Sequence, residues 1–150
     1  MCNVNIMTDP IQTAQDRFAQ GFSCSQAVFS AFAPRFGIEA ETALKLASPF
    51  GGGVARQGDV CGAVTGALLV LGLERGSATV KEKDETYRIA EDLLKRFQER
   101  HGAILCRDLI GHDLSTPGGL QSAREQKVFT TICPGLVKDA VEIVSEWMDE

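Results

Sequence analysis

Apolar positions recur at intervals of three and four through most of the chain, and the period-two alternation of a half-buried strand is missing. Ile11, Ala14 and Phe18 share one face behind Pro10, which suits the opening turn of a helix capped by Thr8 or Asp9 and ending near Gly21. A second helix is predicted from near Ser23, with Cys24, Ala27, Val28, Ala31 and Phe32 on one side and an end between Pro34 and Gly37. A third, short helix spans about Glu39 to Ala47, with Ala43, Leu44 and Ala47 inward. Ser48-Pro49-Phe50-Gly51-Gly52-Gly53 then reads as a flexible loop. Asp59 is the expected cap of a fourth helix, from Val60 to about Leu71, which is apolar nearly all round and therefore central.

The fifth helix, about Thr79 to Arg100, carries an inward stripe of Tyr87, Ala90, Leu94 and Phe97. Its outer face pairs Asp84 with Arg88, Glu91 with Lys95 and Asp92 with Arg96, each acid four residues before its base. A single helical turn is expected at Cys106, a loop from Gly111 to Gly119, and a helix over Gln121 to Phe129. Pro134 opens a last helix with Leu136, Val137, Ala140, Val141, Val144, Trp147 and Met148 on its apolar side. No repeat or linker divides the chain. The pattern predicts one all-α domain over residues 1–150, a bundle of six or seven helices around the apolar helix at about 60–71, with residues 1–8 frayed.

Length agrees with one domain: 150 residues is an ordinary size for a single core. Against 15 Lys and Arg stand 20 Asp and Glu, a net charge of −5, so nothing supplies the basic footprint of a nucleic-acid binder. The longest apolar run, Gly62 to Leu73, falls short of the ~20 residues of a membrane span. Met1 to Pro10 has neither the basic start nor the apolar core of a signal peptide. The expected setting is the cytoplasm.

In that setting the five cysteines, at 2, 24, 61, 106 and 133, change the picture. Reducing conditions disfavour structural disulfides and favour catalytic, redox or metal-binding use. Cys24, Cys61, Cys106 and Cys133 all fall at predicted helix starts, where unpaired N–H groups and the helix dipole stabilise a thiolate. Any one of them is equally well explained as a small buried hydrophobe; four such placements together are not. No C-x-x-C occurs, which excludes a thioredoxin-type dithiol and disfavours a zinc finger. Any active set must be assembled by folding.

Around Cys61 the chain reads Gly58-Asp59-Val60-Cys61-Gly62-Ala63-Val64-Thr65-Gly66. Each glycine inside a helix costs ~1 kcal/mol against alanine, so Gly62 and Gly66 need a reason. Close helix packing is one, and room around a reacting sulfur is another. Gly51-Gly52-Gly53 lacks the Lys-Ser/Thr of a P-loop. Cys24, the C-G-A-x-x-G element at Cys61 to Gly66, then Cys106 and Cys133 resemble the redox-active family defined by four cysteines, over about Cys24 to Cys133. Some relatives carry selenocysteine in place of a cysteine, so the resemblance implies redox chemistry, without a substrate. Cys2 lies outside the pattern.

The leading expectation is a thiol redox protein cycling dithiol and disulfide among Cys24, Cys61, Cys106 and Cys133, its partner a redox protein or a small thiol or disulfide. Cys61 is the first choice of nucleophile, with a depressed pKa, and Cys106 or Cys24 the resolving thiol. One alternative makes the same four thiolates ligands of zinc or an iron–sulfur cluster. Another is a helical interaction domain with inert cysteines. Oligomeric state is left open. His101, four residues after Phe97, reads as a packing residue, and His112 as a loop residue or a proton carrier near Cys106.

Overall fold

A computed structural model describes residues 9–150; Thr8, Cys2 and the expected frayed start at 1–8 lie outside the described residues. The first helix, α1 (Pro10–Ala19), is capped by Asp9, whose Oδ1 accepts the Ile11 N–H at 3.0 Å. Helix α2 (Cys24–Phe32) opens on a capping box in which Ser23 and Gln26 each accept the other's backbone N–H. It ends in a 3₁₀ turn at Ala33–Phe36 and at Gly37, whose φ of 81° suits glycine. The end of α3 (Ala40–Ala47) is stitched to the start of α2. Ser25 donates to the Ala47 carbonyl and Gln26 to the Leu44 carbonyl, both at 2.9 Å.

Helix α4 (Gly62–Arg75) begins later than expected, and Asp59 does not cap it. The backbone of Asp59 is engaged elsewhere: its N–H donates to Gly53 and its carbonyl accepts from the Cys106 N–H at 2.7 Å. With Cys61 donating to Ile104 at 2.8 Å, this holds residues 59–61 in an antiparallel bridge, Val60 opposite Leu105. Close packing accounts for Gly66. A Cβ there would sit 2.8 Å from the Ser25 carbonyl oxygen and 3.0 Å from Val28 Cβ. At Gly62 it would lie 3.0 Å from the Ser25 nitrogen and 3.3 Å from Cys24 Cβ, so the missing side chain also lets α4 begin against Cys24.

In α5 (Lys83–His101) the inward stripe is Ile89, Leu93 and Phe97, every fourth residue. The expected stripe is therefore turned: Tyr87 is 64% exposed, and Ala90 and Leu94 are half-buried. The first buried residue of the helix is Ile89, so Tyr87, half a turn earlier, stands in solvent. Glu91–Lys95 and Asp92–Arg96 pair as expected, at 3.6 and 2.9 Å. Arg88 instead turns to Glu85, where a two-bond fork at 3.0 and 2.7 Å is geometrically better than a contact to Asp84.

The rest of the chain comprises α6 (Cys106–Ile110), α7 (Pro117–Glu125), α8 (Val128–Thr131) and α9 (Cys133–Met148). The helix expected over 121–129 is split. Thr116 caps α7 early by accepting the Gly119 N–H at 3.0 Å, and Lys127, at φ 59°, breaks the backbone before α8. Nine α-helices stand among the described residues against the six or seven expected, α6 and α8 being about one turn each.

Among the described residues there is no strand, and the fold is an all-α bundle. Helix α4 is central as its composition demands, but α2 is equally so, packing against α1, α3, α4 and α9. Two apolar clusters result. The larger gathers α1 to α5 and α9; the smaller holds Cys106, Ile110, Leu114, Ala123, Val128 and Cys133. Half-buried Phe18, Cys24, Leu109 and Ile132 touch both.

Candidate functional site: a cavity lined by four cysteines

A cavity of about 840 Å³ lies where the two clusters meet, and Cys24, Cys61, Cys106 and Cys133 all line it. Four positions spread over the chain thus converge. Cys24 is the first residue of α2, Cys106 of α6 and Cys133 of α9, while Cys61 directly precedes α4. The bridge at Val60 and Leu105 brings Cys61 and Cys106 to one side of the cavity, diagonal to each other across two extended segments. Cys61, Cys106 and Cys133 are buried and Cys24 is half-buried; all four are free thiols.

The four thiols differ in acidity. Cys24 and Cys133 act on each other's ionisation. The Cys24 side chain lowers Cys133 below the ordinary thiol value, outweighing the burial that opposes ionisation. Cys24 is raised well above that value by the Cys133 side chain, with burial and the neighbouring sulfurs adding to it. Burial pushes Cys61 up to about 11, although the N–H groups of Ala63 and Val64 pull the other way. Burial likewise raises Cys106 to about 12. The depressed pKa expected at Cys61 is therefore not found: the helix start acts in the expected direction, and desolvation of a 3%-exposed residue outweighs it.

Between the sulfurs the wall is apolar, with Phe18, Phe22, Leu114, Leu120 and Phe129. Exposed Arg56 and Arg124 also line the cavity, neither with an acidic partner among the described residues. Sequence patterning singled out neither, because an isolated arginine carries no periodic or motif signal. The glycine loop does lie beside the site, but as a tightly hydrogen-bonded turn instead of loose chain. Residues 52–56 all have positive φ, and a Cβ on Gly53 would lie 2.7 Å from Cys106 Cβ.

His112 does not line the cavity; its Nδ1 lies 2.7 Å from the Ile110 carbonyl. His101 packs on the Phe97 ring at 4.6 Å between centroids and meets Asp139 at 2.9 Å, the packing role expected of it. Among the described residues, no three side chains drawn from His, Cys, Asp and Glu are grouped so as to hold a metal ion. No helix among them is long and apolar enough to cross a membrane.

Fold and site define a small helical protein with four free cysteines around one cavity. The chain belongs to the family described as "Putative redox-active protein (C_GCAxxG_C_C)", whose sequence model matches residues 22–147. In that pattern glycine precedes cysteine, whereas here Cys61 precedes Gly62; Ala63 and Gly66 keep the A-x-x-G that follows. No curated protein and no solved structure matches the chain.

Proposed function

We propose that the protein exchanges electrons with disulfide-bearing partners through the dithiol of Cys133 and Cys24, with Cys61 and Cys106 as further thiols on the same cavity. The convergence of Cys24 and Cys133 on one cavity wall, with Cys133 the more acidic of the two, carries this reading. It supplies an attacking thiolate and a resolving thiol on the same cavity. Cys133 Sγ attacks one sulfur of the partner disulfide, the partner's S–S bond breaks, and its second half leaves as thiolate. Cys24 then gives its proton to the leaving thiolate and attacks Cys133 Sγ. The protein disulfide forms, the half of the partner held on Cys133 departs as thiolate, and two electrons have passed to the partner. Read backward, the same steps oxidise a dithiol partner.

Cys61, with its proton held to about 11, suits a resolving or relay step better than the first attack. The partner is a redox protein or a small thiol or disulfide, and the working compartment is a reducing one, the cytoplasm. Oxidation by a small disulfide followed by peptide mapping tests this. The expected outcome is loss of two thiols, a Cys24–Cys133 linkage, and, in Cys24→Ser, the small disulfide's half retained on Cys133. Four titratable thiols after oxidation, or a stable bond that leaves out Cys133, would overturn it.

A further inference from the structure

The cavity has a charge character that the thiol chemistry alone does not require. The chain carries a net charge of −5, yet no aspartate or glutamate is among the described residues that line the cavity. Its charged lining residues other than the cysteines are Arg56 and Arg124. Arg88 pairs with Glu85, Arg96 with Asp92 and Glu150, and Arg100 with Glu142 and Glu146, while Arg17, Arg35 and Arg75, which form no ion pair among the described residues, do not line the cavity. Arg56 and Arg124 are exposed, so they stand at the mouth with their guanidinium groups free to take an anion.

Arg56 is held there at a cost. It ends the run of positive φ that includes Val54 at 64° and Ala55 at 50°, a conformation a β-branched residue rarely adopts. Six backbone hydrogen bonds, from the N–H groups of residues 54–59, sustain the turn. The wall behind the arginines is apolar and aromatic, and about 840 Å³ falls in the range of about 300–1,000 Å³ that small-molecule sites occupy. A mouth that attracts anions, an apolar interior and a reactive dithiol fit one kind of molecule.

We infer that the cavity takes a low-molecular-weight disulfide bearing carboxylates on an apolar body, with Arg56 and Arg124 binding the carboxylates while the disulfide reaches Cys133. The inference rests on the thiol-exchange reading above. The dithiol supplies both electrons, so the bound disulfide leaves as two thiols and the Cys24–Cys133 bond forms.

Two probes separate charge from chemistry: 5,5′-dithiobis(2-nitrobenzoate), a dianionic aromatic disulfide, and 4,4′-dithiodipyridine, a neutral one. The absorbance of the released thiol gives the second-order rate constant for each. Arg56→Gln and Arg124→Gln are each expected to slow the dianionic probe about tenfold, the loss of one charge-assisted contact, and to leave the neutral probe within about twofold. Arg→Lys at either position should recover part of the rate. Equal slowing of both probes, or no slowing of the dianionic one, would overturn the inference. Failure of either probe to oxidise Cys133 in the unaltered protein would overturn the exchange reading beneath it, a distinct result.

Discussion

The thiols of Cys24 and Cys133, the first residues of α2 and α9, line one cavity and shift each other's acidity in opposite directions. Each sulfur therefore sets the acidity of the other. Cys24→Ala removes the side chain that lowers Cys133, so the alkylation profile of Cys133 should move to higher pH. Cys24→Ser keeps a polar side chain and should hold the profile near its original place. The rate of iodoacetamide labelling at Cys133 against pH, read by mass spectrometry, measures both. A profile indifferent to the Ala substitution would mean that Cys24 does not control the thiolate.

Cys61 gives a stability prediction at alkaline pH. Its folded pKa, about 11, stands above the ~8.5 of an unfolded thiol. Below ~8.5 both states hold the proton and the stabilisation is fully present. Above it the unfolded chain releases the proton first, and stability falls at about 1.4 kcal/mol per pH unit until the folded thiol ionises near 11. Cys61→Ser has no thiol to titrate there, so its urea midpoint should fall less steeply between pH 8.5 and 10.5, assayed under reductant. Parallel slopes would show that Cys61 is not desolvated.

Two glycines of α4 should respond oppositely to alanine. At Gly66 the added Cβ meets the Ser25 carbonyl oxygen at 2.8 Å, and the α2–α4 contact must open. A cost of about 1–3 kcal/mol is expected, exceeding the ~1 kcal/mol gained in helix propensity. Gly72 has nothing within 4 Å of such a Cβ, so Gly72→Ala should stabilise by about 0.5–1 kcal/mol. Chemical denaturation of both variants decides it; stabilisation by Gly66→Ala would refute the close approach.

What the amino-acid order determined by itself was local. Asp9, the Ser23–Gln26 box, Pro10 and the 3.6-residue periodicity specify helix starts and inward faces through groups within a turn of one another. The same locality made Cys24, Cys61, Cys106 and Cys133 legible as helix-start cysteines, and the C-G-A-x-x-G element legible as a family mark. Only the tertiary structure decided what those cysteines are to each other. Asp59 looks like a cap until its backbone is bound by Gly53 and Cys106, residues far apart in the chain. Cys61 looks like the acidic thiol until burial outweighs its helix start, and Cys133 becomes the acidic one through the side chain of Cys24, over a hundred positions away. The placement of Arg56 and Arg124 on one cavity is of the same kind. Desolvation and long-range contacts are sums over neighbours that the chain meets only on folding, and no local pattern encodes them.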